Sequence, residues 1–590
     1  MSLDYEGEDI NSLVEQFSST DLPPLFEGMF KNIDKLISEI DNKHLNIYGF
    51  SDSGLLKVVF KQLNKPKYIY NKGSESIKYF TYKRDNSKRE MGIANPVWYV
   101  SFLYNVLKVS DDWMEEIYNN PEYERIIFHS NSPILGTGER FRFDYTDGLK
   151  KLPYTGIINN NNEKRSKAFK SNKYKVAIIE GASPYYLRTD IENYFSNIYT
   201  HKLAGLKNVH PFSEITSPSK DDFFEFLDVY NMSINDNHTK GILQGPISSA
   251  ISAELLGLHI DFELENQVDD GVSYFRYVDD MKFFSYSYSD LSQVVNGLDS
   301  ILRRLSLHRK NEKTEIKKGF IHEKYADIEE LIFSLPFLDR NSKESLFNNQ
   351  ISLDKLRNYI SEKIEEKNIT QIRAMLTMLN NHLKKFSKQR MENKNLEILN
   401  NIMFKLIYVL PPVSNHCFKV LETIMKLASG KIRDRIQVQI ENNYTYISNH
   451  FPDTDIEIWV CYLIGKYFKA KSHSEILNLI INRINVEEHT TDPLILMCFI
   501  RKNFRENDKI KKLIFRKYNE QCGSRSNADG MGHSRWWPVL VKLYAYLKTG
   551  KRVDPNSQDY IEFKRDINKY FLTKNGVPKY GELGIFNILL

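Results

Sequence analysis

Asp279 and Asp280 stand side by side in the middle of a β-forming run, with residues 272–278 before them and 281–284 after. Aspartate is depleted inside strands, so a carboxylate pair there needs a reason. One reading is a tight β-hairpin that presents two carboxylates for chemistry; the other is a solvated, Asp-rich turn. Asp190 closes a second β-favouring run, Tyr185-Tyr186-Leu187-Arg188-Thr189-Asp190. A strand ending beside a hairpin would bring three carboxylates to one point. The surrounding region, 176 to about 335, alternates strand-like and helical segments. Residues 176–180 read as a strand and 247–262 as a helix. Residues 291–305 read as an amphipathic helix, with Leu291, Val294, Val295, Leu298, Ile301, Leu302 and Leu305 on one face.

A chain of 590 residues is too long for one hydrophobic core. Three textures suggest three parts: 1–175 as an N-terminal segment with mixed elements, 176–335 as the carboxylate-bearing unit, and 336–590 as an almost wholly helical unit. In the last part Ile369, Ile372, Leu376, Leu379 and Leu383 share a helical face, and Pro411-Pro412 stops a helix near Leu410. Gly430 reads as the glycine closing another helix. Successive helical hairpins are expected, either a solenoid of loosely HEAT-like repeats or an irregular bundle. The net charge of +5 is too small to imply a global polyanion surface, so any nucleic-acid surface should be local. Four scattered cysteines without zinc spacing, no 18-residue apolar stretch and an acidic first segment read as a soluble protein of a reducing cytoplasm, with no membrane partner.

Phosphoryl transfer from a nucleoside triphosphate uses two divalent ions about 4 Å apart, held by carboxylates. Magnesium prefers such hard oxygen donors, with manganese able to substitute. Asp190, Asp279 and Asp280 are the candidate ligands, and the Ile191 carbonyl could complete the shell. Phe195, five residues after Asp190, would stand beside the sugar and bar a 2′-hydroxyl; as an isolated aromatic it would read as core. Gln244-Gly245-Pro246-Ile247-Ser248-Ser249 leads into a helix, and Gly245 would let backbone approach a ligand. Gln244 would touch nucleotide or primer; an ordinary helix start is the plainer reading. Lys313, in Asn311-Glu312-Lys313-Thr314, could protonate or bind the departing pyrophosphate. Lys83, Arg84, Lys88 and Arg89, before Gly92, suit a triphosphate tail, or are a solvated charge run.

Each motif is weak alone, but their order is informative. Asp190, Gln244-Gly245, Asp279-Asp280 and Lys313 resemble motifs A, B, C and D of reverse transcriptases over roughly residues 80–320. Arg89-x-x-Gly92-Ile93-x-x-Pro96 is similar to the fingers motif of bacterial and intron enzymes, with two residues inserted. The resemblance implies an α+β fold: right-hand fingers and palm, here followed by an all-α, helical-repeat region. A palm followed by about 250 helical residues, together with residues 190–202 and 276–280, resembles the bacterial abortive-infection (AbiK-type) defence reverse transcriptases. The Gln244-Gly245-Pro246 segment departs from AbiK itself.

That likeness implies a DNA polymerase of antiphage defence. It would take dNTPs, make single-stranded DNA without a template, attach it covalently to a protein tyrosine, and assemble as a homo-oligomer in the bacterial cytoplasm. Tyr48, in Tyr48-Gly49-Phe50-Ser51-Asp52-Ser53-Gly54, resembles an N-terminal stretch of that group and is the first priming candidate; Tyr5 is the alternative. A structural tyrosine is the plainer reading of Tyr48. The Gln244-Gly245 segment keeps open an enzyme copying a dedicated noncoding RNA, as retron-like systems do. A third possibility is a scaffold acting through its helical part. The expected arrangement has that part closing over the palm.

Overall fold

The computed structural model of the chain describes residues 21–26, 37, 40, 48–60, 73–109, 177–268, 271–321, 326–339, 346–347, 350–386, 390–469, 474–503, 507–522, 534–539 and 541–542. Tyr5 lies outside them.

Two antiparallel hairpins open the described chain. β1 (Tyr48–Phe50) pairs with β2 (Leu56–Phe60), and β3 (Ile77–Tyr82) pairs with β4 (Lys88–Ile93). The turn of the second is closed by Asp85, whose carboxylate accepts from the Ser87 hydroxyl and N–H at 2.6 and 3.0 Å. Asn86 takes the left-handed φ of 63° that asparagine tolerates. Helix α1 (Pro96–Val109) follows, with Val97, Trp98, Tyr99, Phe102, Leu103 and Val106 buried.

The next unit is built on β5 (Tyr185–Asp190), the short helices α2 (Tyr194–Asn197) and α3 (Thr200–Gly205), α4 (Pro218–Ser233) and α5 (Ile247–Glu265). After α5 come β6 (Ser273–Tyr277), β7 (Asp280–Ser285), α6 (Tyr288–Arg304) and β8 (Glu315–Lys318). The four strands form one antiparallel sheet in the order β6-β7-β5-β8. Leu187, Tyr274, Met281 and Phe283 belong to the main core, whereas Tyr186, Phe275 and Phe284 form a small separate cluster. Residues 177–182 are helical rather than the expected strand. Ile179 alone of the described run packs on the small cluster, and that tertiary contact overrides its β propensity. α5 is buried along nearly its whole length, as a helix apolar on most sides must be.

Beyond residue 327 the described chain is helical. After α7 (Ile328–Ser334) come α8 (Gln350–Glu365), α9 (Ile369–Lys384), α10 (Lys394–Val409), α11 (Ser414–Leu427) and α12 (Gly430–His450). These are followed by α13 (Asp455–Tyr467), α14 (Ser474–Val486), α15 (Asp492–Asn503) and α16 (Asp508–Cys522). Asn368, Asn393 and Thr454 cap α9, α10 and α13 by accepting from backbone N–H groups. Gly430 opens α12 with φ 54° instead of closing α11, because α11 already ends at Leu427. The helices pack in two rows: α9, α11, α13 and α15 touch in succession, α8 touches α10 and α10 touches α12, and α14 touches α16.

The described contacts of the helical region lie largely against the β3–β4 hairpin and the chain before it. The Phe80 N–H donates to the Asp453 carbonyl at 2.8 Å, and the Thr490 hydroxyl donates to the Lys78 carbonyl at 2.6 Å. Tyr82 meets Phe451 edge-on at 5.9 Å, and the Trp459 indole donates to the Asp21 carbonyl at 2.7 Å. Among the described residues the helical region thus meets the β3–β4 hairpin rather than the palm sheet, along the edge of β3 that does not pair with β4, as an unpaired strand edge favours. No helix among the described residues is long and apolar enough to cross a membrane.

Candidate active site

The antiparallel register of β5 and β7 sets Asp190 directly opposite Asp280. Residues so paired have Cα atoms about 4.5–5.5 Å apart. Asp279 belongs to the β6–β7 turn, and its carbonyl accepts from the Ile191 N–H at 3.0 Å, which ties the turn to the end of β5. One strand pairing and one turn thus bring the backbones of the three aspartates to the same end of the sheet. Val278 occupies the left-handed region at φ 59°. That conformation in a β-branched residue costs roughly 1–3 kcal/mol and persists only where its surroundings enforce it.

The crowding has an electrostatic consequence. Burial, then the charge of Asp190 and then that of Asp280, push the Asp279 carboxyl up to about 6. Burial also raises Asp280, against the pull of the Arg188 guanidinium. The Lys313 ammonium reaches in from a 3-10 turn, Asn311–Lys313, and donates to Asp190 at 2.5 Å. Burial alone would lower Lys313, but the bond to Asp190 and its charge outweigh this and raise it. Among the described residues no group of three or more His, Cys, Asp or Glu side chains converges into a ready-made metal cage. The donor set nevertheless fits a hard divalent cation: three carboxylates that repel one another are held where such an ion would relieve the repulsion. The Lys313 ammonium relieves part of it, and the Arg188 guanidinium eases Asp280.

Phe195 is half-buried on α2, edge-on to Tyr194 at 6.0 Å, and its carbonyl accepts from the Ile242 N–H at 2.9 Å. That bond ties the segment after Asp190 to the segment before Gln244. Gln244 itself is half-buried, and its carbonyl accepts from the Gly92 N–H at 2.7 Å. Gly245 has φ +130°, and a Cβ there would lie 2.7 Å from the Gly92 oxygen. The backbone that approaches Gly245 is therefore that of β4 and not only a ligand's. Ser248 is buried and accepts from the Tyr230 hydroxyl at 2.9 Å, so it serves the core. Lys83 and Arg89 lie on the outer part of the β3–β4 hairpin, Arg89 exposed, and the base of that hairpin is the Gly92 contact.

Tyr48 begins β1, and the turn after it is closed, with the Ser51 N–H donating to Leu55 and the Ser53 hydroxyl to Asp222 at 2.5 Å. The sequence around Tyr48 is thus a short hairpin stapled to α4 rather than an open tether.

Sequence reasoning missed Arg276. It is fully buried, its guanidinium held between the equally buried Glu254 and Asp261 of α5. Its place immediately before the Tyr277-Val278-Asp279-Asp280 turn is visible in the sequence, but its partners on α5 are not.

Comparison with known proteins gives one family match. Residues 149–334 match the family described as reverse transcriptase (RNA-dependent DNA polymerase). The chain therefore contains a reverse transcriptase domain, and Asp190, Asp279 and Asp280 lie inside it. Among solved structures the chain is similar, at 12% identity and a TM-score of 0.25, to telomerase from Candida albicans in complex with a TWJ fragment of telomeric RNA. That match covers 69% of this chain and 64% of the telomerase. It is similar, at 11% identity and a TM-score of 0.26, to apo telomerase from Candida tropicalis, over 68% of this chain and 70% of that one. The chain thus spans just under two thirds of the first of these telomerases. No curated protein sequence matches the chain.

Proposed function

We propose that this chain is a DNA polymerase of the reverse-transcriptase type that takes dNTPs, with Asp190, Asp279 and Asp280 as the ligands of two magnesium ions. The observation that carries the reading is the register of Asp190 with Asp280, beside the strained turn that supplies Asp279. Two bound ions would activate the attacking hydroxyl and stabilise the charge on the transferring phosphoryl group. The protein's own contributions follow from placement. Asp190, Asp279 and Asp280 would hold the ions, with the Ile191 carbonyl able to complete the shell. Lys313, which donates to Asp190, would hold the pyrophosphate once a cation took over that carboxylate. The Gln244-Gly245 loop and Phe195, joined through Ile242, form one wall for the nucleotide and its sugar. Lys83 and Arg89 supply positive charge for the triphosphate from the hairpin above.

We further propose a role in antiphage defence of the abortive-infection kind, with untemplated synthesis started from a tyrosine, and a helical region of HEAT-like repeats. The succession α9, α11, α13 and α15, each touching the next, supports the repeat reading. An assembly of several copies belongs to the same proposal. The rigid Gln244–Gly92 contact favours a second reading, in which the nucleotide wall is built for templated copying of a bound RNA.

The test is incorporation of labelled dNTPs by the full-length chain in magnesium, run beside Asp279→Ala. Label in the wild type alone supports the polymerase; equal label in both overturns it. Denaturing gels then separate the finer readings. Label that stays with the protein after denaturation supports protein priming, whereas released product together with a discrete copurifying RNA supports copying.

A further inference from the structure

The β6–β7 turn holds Val278 in a conformation that its own side chain disfavours, so something outside the turn must enforce it. The nearest agent is Arg276, two residues earlier. Its Nη1 donates to the Val278 carbonyl at 3.1 Å. The rest of the guanidinium is held from α5. Nε donates to Asp261 at 2.9 and 3.0 Å, Nη2 to Asp261 at 2.8 Å, and Nη1 and Nη2 to Glu254 at 3.0 and 2.6 Å. All three side chains are buried.

Glu254, Gly257 and Asp261 fall on one face of α5, at the i, i+3 and i+7 positions. Gly257 is the floor of the cradle. A Cβ there would lie 2.5 Å from Arg276 Nη1 and 2.6 Å from its Cζ. The helix thus leaves out a side chain at the point where the guanidinium lies. A buried ion cluster with more carboxylate than cation is a poor way to gain stability, and apolar side chains would join β6 to α5 as well. The one thing that apolar residues could not do is hold a carbonyl in the turn.

Resting on the polymerase reading, we propose that Arg276, seated on Glu254, Gly257 and Asp261, is a positioning residue that sets the geometry of the Asp279–Asp280 turn for metal binding. Two successive peptides of the turn are pinned. The Val278 carbonyl is held from behind by the guanidinium, and the Asp279 carbonyl is held from the front by the Ile191 N–H. The position of the Asp279 side chain follows from those two bonds. A lysine at 276 would keep the charge, but it lacks the planar fork that serves two carboxylates and a carbonyl at once. An alanine at 257 would keep every charged group and displace the guanidinium.

The experiment compares full-length wild type, Arg276→Lys and Gly257→Ala. It measures thermal melting, Mn2+ affinity by electron paramagnetic resonance, and kcat and KM for dNTP incorporation. Loss of a group that orients a metal ligand costs about 10–100-fold in affinity or activity, and that loss is expected in Mn2+ affinity and kcat for both variants. KM for the dNTP should stay within about twofold, since uniform substrate binding is untouched. Folded variants with wild-type Mn2+ affinity overturn the inference. So does failure of both variants to fold, which would assign the cluster to stability alone. A wild type that binds Mn2+ but incorporates no nucleotide overturns the polymerase reading, while the metal-affinity arm still decides the role of Arg276. A wild type that binds no Mn2+ overturns both.

Discussion

Gly92 and Gly245 meet backbone to backbone: the Gly92 N–H donates to the carbonyl just before Gly245, and a Cβ on Gly245 would press to within 2.7 Å of the Gly92 oxygen. A strand of the hairpin and the loop that opens α5 are thereby fused at the edge of the proposed nucleotide site. Gly245→Ala meets both a left-handed φ and a backbone clash. It should destabilise the chain by about 1–3 kcal/mol and depress dNTP incorporation more than the folded fraction falls. Denaturant unfolding alongside an incorporation assay checks both; wild-type values in the two assays would leave the contact without consequence.

Asp279 links charge to stability. Its carboxyl, ordinarily near 3.8, is raised to about 6 in the folded chain. A raised folded pKa means that its contribution is fully present below the unfolded value and is lost as pH rises through about 6. At neutral pH without metal the penalty is of the order of 2–3 kcal/mol. Asp279→Asn should therefore melt at or above the wild-type temperature near pH 7, with a shallower pH dependence between about 4 and 6. The same variant should lose incorporation. Lower stability at neutral pH in Asp279→Asn would contradict the electrostatic account.

Magnesium should replace the stabilising part played by Lys313. Chelation of divalent ions should lower the wild-type melting temperature at neutral pH, and added magnesium should restore it, as expected for a ligand of the native state alone. Asp190→Ala should abolish this response. An undiminished magnesium shift in Asp190→Ala would place the ion elsewhere.

Phe195→Ala should let ribonucleotides compete with deoxynucleotides. The ring meets Tyr194 edge-on, and the Phe195 backbone is tied to Ile242, two residues before Gln244, so its removal would open space on that side. The measure is the ratio of kcat/KM for dNTP and rNTP. A folded variant with an unchanged ratio would leave Phe195 to packing.

Ending the chain near residue 335 strips the β3 edge of the Asp453 and Thr490 bonds and exposes the Tyr82 face that meets Phe451. Loss of solubility or of incorporation is expected from a hairpin so uncovered. A soluble truncated chain with full activity would show that the helical region does not support the hairpin.

Much of the site was legible in the chain before folding, because its chemistry is written in local groups. A paired Asp279-Asp280 inside a β run, Asp190 at a strand end and an amphipathic period over 291–305 are short-range signals, and strand alternation and helix periodicity depend on neighbours within a few residues. The helix carrying Ile369 to Leu383 and the one stopped near Leu410 were legible for the same reason. Other features depended on distant contacts. Residues 177–182 became helical because of what lies under them. Gly245 faces Gly92, more than a hundred residues earlier, and the helical region settled on the β3 edge because that edge was open. The same holds for Arg276: as a lone arginine in the sequence it had no role to read. Its partners on α5 are close to it only because β6 folds back along that helix, where a guanidinium buried between Glu254 and Asp261 can reach the Val278 carbonyl.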